Sequence, residues 1–134
     1  MLLAVDPEQS LPTLRKHIAE LAKKNTCPEM PEYLEDQLKT NKAFLFMDTS
    51  GSDSFVVLST HTCPYRKVRT LFVLAAFCGE GSADKLYGEQ IDQLAREAEC
   101  TEVEFVSSRR GWERAAKKYG YSPVEVTYRK ELNG

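Results

Sequence analysis

No apolar run in this 134-residue chain is long enough to cross a bilayer, and the opening MLLAV has neither the length nor the basic flank of a secretory leader. An excess of one charge is also missing. Lys and Arg number 18 against 20 Asp and Glu, a formal net charge of −2 with no basic stripe, which leaves no electrostatic footprint for nucleic acid. The four cysteines, at 27, 63, 78 and 100, form no CxxC pair, and the nearest approach to a ligand pair is His61 with Cys63. That spacing predicts free thiols and no metal site. Repeats and low-complexity linkers are absent too. What these absences leave is a cytoplasmic globular chain, a single domain over 1–134, with no nucleic-acid or membrane partner. A chain of this length buries roughly two-thirds of its unfolded surface.

The patterning that is present alternates between two periods. Residues 2–5 read as a short first strand ended by Asp6-Pro7. Ser10 reads as an N-cap with Pro12 in the first turn, and Leu11, Leu14, Ile18, Leu21 and Ala22 recur at helical spacing to about Lys24. A second short helix is expected over 31–39, its Glu32, Glu35 and Asp36 forming a solvated face. Apolar runs at 43–47 and 55–58, separated by 49–53, predict a β-hairpin. A second loop over 60–67, containing Pro64, leads to a third antiparallel strand with the apolar run 71–76. From 84 to 99 the positions Tyr87, Ile91, Leu94, Ala95 and Ala98 share one helix face. Residues 102–106 alternate as a strand, with Val103 and Phe105 on one side and Glu102, Glu104 and Val106 on the other. A helix over 110–119 stops at Gly120, and the alternation of Val124, Val126 and Tyr128 predicts a terminal strand over 123–132. The resulting class is α+β (α/β), one sheet flanked by helices.

The segment richest in chemistry is LFVLAAFCGEGSADKL, residues 71–86, in which an apolar strand enters a loop with glycines at 79 and 81 and a helix follows. A glycine turn feeding a helix N-terminus suits a phosphate. The backbone can approach an anion closely, and the first-turn N–H groups lack intrahelical partners. The same turn also serves simply to pack a helix on a sheet.

This order of elements resembles the GNAT acetyltransferase superfamily. Its central motif is an apolar strand, then Arg/Gln-x-x-Gly-x-Gly/Ala, then a helix. Here Cys78-Gly79-Glu80-Gly81-Ser82-Ala83 stands in that place. Gly81 and Ala83 match the small positions, Gly79 matches a common extra glycine, and Cys78 departs from the usual Arg or Gln. The Lys-Tyr-Gly-Tyr at 118–121 is similar to the family's motif ending in Gly-Phe, and 126–130 is similar to its last strand. The resemblance implies a mixed, mostly antiparallel central sheet with about four helices, and acetyl-CoA as cofactor. It assigns cofactor binding to Leu74, Ala76, Cys78, Gly79, Glu80, Gly81, Ser82 and Ala83. It further implies an amine acceptor (a small molecule or a protein lysine), a homodimer in many members, and a V-shaped splay between the strand ending near Ala76 and the one starting near Glu102.

For the chemistry, the family uses a base for the amine proton and a Tyr on the last helix for the departing thiolate. Glu104, with Glu102 beside it, is the candidate base. Ser108, with Ser107, is the candidate hydrogen-bond donor to the thiolate. The Tyr position falls on Ala116, and Tyr119 and Tyr121 read as packing residues, His61 as a surface residue and Trp112 as a core anchor. Arg109, Arg110, Lys117 and Lys118 make a basic patch that suits the adenosine phosphate or a solvated helix face. The acceptor pocket is expected around 24–42 and 121–128, where Glu29, Glu32, Glu35 and Asp36 gather. Cys78 and Ala116 also fit an alternative, a GNAT-like binding or structural protein without chemistry, of the small kind found in phages as well as bacteria. The loop reading predicts micromolar acetyl-CoA binding by calorimetry that is abolished in Gly81→Trp; equal binding by the two proteins would contradict it.

Overall fold

The computed structural model describes residues 1–48, 54–78, 83–106 and 116–132. The elements run β1 (Leu2–Ala4), α1 (Pro7–Lys24), α2 (Met30–Lys39), β2 (Phe44–Asp48), β3 (Phe55–Cys63), β4 (Val68–Phe77), α3 (Ala83–Glu97) and β5 (Glu102–Phe105). The strands form one sheet in the order β1-β2-β3-β4-β5. The pairings from β1 through β4 are antiparallel, and β4 pairs with β5 in parallel. The expected α+β class and mostly antiparallel sheet are therefore present. Residues 116–118 form the end of a further helix.

Two apolar clusters sandwich the sheet. On one face α1 and α2 bury Leu11, Leu14, Ile18, Leu21, Leu34 and Leu38 against Leu45, Phe55, Val57 and Ala75. On the other, Tyr87, Ile91 and Ala95 of α3 pack with Leu2, Val56, Leu58 and Leu71. The five α1 positions picked out by helical spacing are all buried. Each large side chain so placed contributes roughly 1.5–3 kcal/mol.

Helix α1 begins one turn earlier than the sequence suggested. Its N-cap is Asp6, not Ser10, and the Asp6 Oδ1 accepts the Glu8 N–H at 3.0 Å. Pro7 takes the first helical position, so Pro12 lies inside the helix, where it leaves the Glu8 carbonyl without its usual i+4 donor. Either proline satisfies the first-turn rule in isolation; the aspartate carboxylate decides between them.

Two further expectations are corrected. The first half of the loop expected over 60–67 is strand, because β3 continues to Cys63 in register with β4 (Thr60↔Leu71, His61↔Thr70, Thr62↔Arg69). Only 64–67 turns, closed by the Lys67 N–H to the Cys63 carbonyl at 2.8 Å with Lys67 at φ 54°. The terminal strand over 123–132 is not formed. Val124, Val126 and Tyr128 are 71%, 68% and 90% exposed, and the segment joins no ladder among the described residues. Alternation makes a strand only where a neighbour takes its hydrogen bonds and one face is buried.

The outer edge of β1 is closed by a side chain. The Gln90 amide on α3 accepts the Leu2 N–H at 2.9 Å and donates to the Leu2 carbonyl at 2.6 Å, as a neighbouring strand would. On the opposite face Glu35, expected on a solvated surface, is half-buried and bridges α1 to α2. Arg15 Nε donates to it at 2.9 Å, and Lys39 approaches at 3.7 Å. The hydrogen bond from Arg15, then the two cations, hold its carboxyl below the ordinary 4.5. A lowered carboxylate adds stability above its unfolded pKa and loses it as pH falls through the folded value. Glu35→Gln should therefore cost about 0.5 kcal/mol at neutral pH, as expected for a largely exposed pair. That difference should vanish in urea titrations carried well below pH 4.5.

Candidate functional site

The site is shaped by one extra residue. The β3–β4 ladder pairs Leu58↔Val73 and then Val57↔Ala75, which leaves Leu74 as a β-bulge. Before the bulge Leu71 and Val73 pack on the α3 side; after it Ala76 and Cys78 do, while Leu74, Ala75 and Phe77 join the α1/α2 cluster. A bulge bends and twists its strand and re-aims the side chains beyond it. Here it exchanges the odd and even faces of β4.

Among the described residues the β4–β5 ladder ends at the same point. Its last pair there is Val73↔Phe105, and the described partners of Ala75, Ala76 and Phe77 are all in β3. Val106, just past β5, is 81% exposed.

Around this point the side chains are fixed by packing. Phe77, the last residue of β4, stacks on His17 of α1 with ring centroids 4.3 Å apart and on Phe55 at 5.9 Å. The buried Ser54 hydroxyl lies 3.7 Å from Cys78 Sγ. Tyr87, one turn into α3, donates its phenol to Asp48 at the end of β2. These contacts tie the strand ends at this side of the sheet to both helix layers.

The face opposite α3 carries the polar groups. Val103 packs with the α3 cluster, so strand alternation sends Glu102 and Glu104 to the other face. Two cross-strand rows result: His61–Thr70–Glu102, and Ser59–Phe72–Glu104. In the first, Glu102 accepts from the Thr70 hydroxyl at 3.3 Å and from Arg66 in the β3–β4 turn. The Glu102 carboxylate, and more weakly Glu104, hold the Arg66 guanidinium above its ordinary range.

The sequence-derived residues distribute unevenly over this geometry. Leu74 is the bulge itself, Ala76 and Cys78 face α3, and Ala83 is the first residue of α3. Glu104 stands one residue before the ladder ends. Gly79, Glu80, Gly81, Ser82, Ser107, Ser108, Arg109, Arg110 and Trp112 lie outside the described residues. The helix stop at Gly120 is a Schellman motif: Gly120 has φ +87°, with Tyr121 N–H to Ala116 O at 2.8 Å and Gly120 N–H to Lys117 O at 3.2 Å. It delivers Tyr121 edge-on to Phe105, 5.0 Å between centroids, so the phenol ring sits at the end of β5. Among the described residues no group of three or more His, Cys, Asp or Glu is arranged to hold a metal ion. None of the described helices is long and apolar enough to cross a membrane.

No family model matches the chain, and no curated protein matches its sequence. Solved structures do match its shape. A ribosomal-protein-alanine N-acetyltransferase from Brucella melitensis biovar Abortus 2308 superposes with TM-score 0.68 at 15% identity, over 100% of this chain and 99% of the other. An aminoglycoside acetyltransferase from an uncultured soil metagenomic sample gives 0.67 at 9% identity, covering 99% and 98%. A predicted acetyltransferase with acetyl-CoA from Clostridium acetobutylicum gives 0.62 at 15%, covering 99% and 96%. The chain has the fold of the GNAT acetyltransferases.

Deleting Leu74 would rejoin the ladder with regular alternation, leaving Val73 and Ala76 on the α3 side and Ala75 and Phe77 on the α1/α2 side. Circular dichroism with urea should therefore show cooperative unfolding for the deletion. Leu74→Ala, which keeps the extra residue, should also stay cooperative with a loss of about 1–3 kcal/mol. A deletion variant that loses cooperative unfolding would refute this account of the bulge.

Proposed function

We propose that this chain is an acetyl-CoA-dependent N-acetyltransferase acting on an amine. The observation that supports the reading is that, among the described residues, the β4–β5 ladder ends at Val73↔Phe105, with the Leu74 bulge at the same point. In this reading the next four residues of β4, roughly 13 Å of strand, serve as a template for an extended, amide-bearing arm. The edge leads toward α3, whose first turn beginning at Ala83 has N–H groups suited to phosphate. The residues present thus fit acetyl-CoA, which when bound supplies an activated acetyl thioester. The shared fold with known acetyltransferases supports the same reading.

In this scheme the chain's own groups have distinct tasks. The edge of 74–77 orients the arm, while the side chains of Ala76 and Cys78 pack on the α3 side. Glu104, half-buried on the opposite face, takes the proton from the incoming ammonium. Tyr121, held against Phe105 at the end of β5, returns a proton to the sulfur and fills the role that Ala116 cannot. The reaction sums to an ammonium and a thioester giving an amide, a thiol and one proton.

A second reading, a GNAT-fold binding module without transfer chemistry, draws on Ala116, which puts a methyl group where the family resemblance expects a phenol. Kinetics separate the two. Glu104→Gln should lower kcat by about a hundredfold or more while the acetyl-CoA Kd stays unchanged. Acetyl-CoA binding with no thiol release across a broad panel of amines would favour the module instead.

A further inference from the structure

Among the described residues Phe72 is the one aromatic of β4 that belongs to neither apolar cluster. It is half-buried, yet it is absent from both the α1/α2 and α3 packing groups. It stands in direct register with Glu104 on one side and Ser59 on the other, on the face opposite α3, two residues before the Leu74 bulge. The neighbouring row places Glu102 beside it, with Arg66 already engaged by that carboxylate. An aromatic ring with an adjacent carboxylate is a recognition pair for an organic ammonium. The ring face attracts a cation within about 6 Å, and the carboxylate accepts its N–H bonds.

We infer that Phe72 and Glu104 form the acceptor floor, and that it selects a protonated aliphatic amine with no carboxylate next to the nitrogen. The inference rests on the acetyltransferase reading and names the acceptor class of that site. The side of the sheet follows from the fold. The phosphate end of acetyl-CoA belongs with α3, which leaves the Phe72 face for the second substrate. An amine resting there has its nitrogen beside Glu104 and close to the point where the β4–β5 ladder ends. Glu104 takes one proton from the ammonium, the nitrogen lone pair bonds the acetyl carbon, the nitrogen releases a second proton to solvent as the carbon–sulfur bond breaks, and the thiolate leaves with its electron pair to be protonated. A carboxylate on the carbon bearing the nitrogen would be brought beside the Glu104 carboxylate and repelled by it, while the Arg66 guanidinium is already taken up by Glu102.

Pentylamine and norleucine test this directly, because they share the same alkyl chain and differ by the carboxylate next to the amine. Calorimetry without cofactor should give pentylamine a Kd at least tenfold below that of norleucine. Phe72→Leu should weaken pentylamine about tenfold, and Phe72→Tyr, which keeps the ring, should restore it; circular dichroism verifies that both variants are folded. In turnover the same Phe72→Leu should raise the KM for pentylamine without changing that for acetyl-CoA. Equal affinity for the two ligands, no measurable affinity for pentylamine, or a Phe72→Leu variant indistinguishable from the parent would overturn the inference. A separate acetyl-CoA titration of the parent protein distinguishes failure of the acceptor floor from failure of the acetyltransferase reading, because absence of binding there removes both.

Discussion

The rest of the structure depends on a single unpaired residue in a ladder. Leu74 shifts the register between β3 and β4 by one, and with it the side of the sheet to which every later β4 residue points. Without that shift Phe77 would face α3, and its stack with His17 and Phe55 on the α1/α2 side would be lost. Among the described residues the β4–β5 ladder ends next to the same residue, so the exchange of faces falls where that ladder ends. A sheet that must be filled on both sides meets that demand with one insertion.

The sheet divides its two faces by chemistry as well as by packing. Near the bulge the α1/α2 face is apolar and sealed by Leu11, Leu14 and Ile18. Further toward the β3–β4 turn it becomes polar, with His61, Ser59, Thr70, Glu102 and Glu104 in rows. Of the two carboxylates, Glu102 is committed to Arg66 and Thr70. That pair ties the turn that carries Arg66 to β5.

How much of this was legible in the sequence follows from where the polar residues fall. The buried face of α1 could be read to the residue, because Leu11, Leu14, Ile18, Leu21 and Ala22 recur at helical spacing among mostly polar positions, whereas its start could not. The face of α3 was legible for the same reason, and Gly120 gave the helix stop its signature. In β4, LFVLAA is apolar on both sides, so no period marks the extra residue, and the isolation of Phe72 from both clusters has no sequence signal. Thr60 to Cys63 was missed as strand because polar side chains at an exposed hairpin end resemble a loop. The alternation at Val124, Val126 and Tyr128 misled in the opposite direction, since a pattern cannot supply its own neighbour. The position of Glu104 on β5, with Glu102 on the same side, could be read from the alternation of 102–106. Tyr121 was set aside as packing, and its contact with Phe105 bears that out while also locating it at the end of β5.

The amide of Gln90 has a consequence for the order in which the chain takes shape. β1 is three residues long and finds its neighbours in β2 and, through that amide, in α3. Its ladder partners arrive more than forty residues later, and Gln90 later still, 88 positions along the chain. A short strand whose bonding groups are shared between such distant segments gains little until both exist, because loop closure must come first. During synthesis the first residues to be made are therefore among the last to settle. The edge of the sheet is sealed by a helix whose own apolar face must already have found Val56 and Leu58.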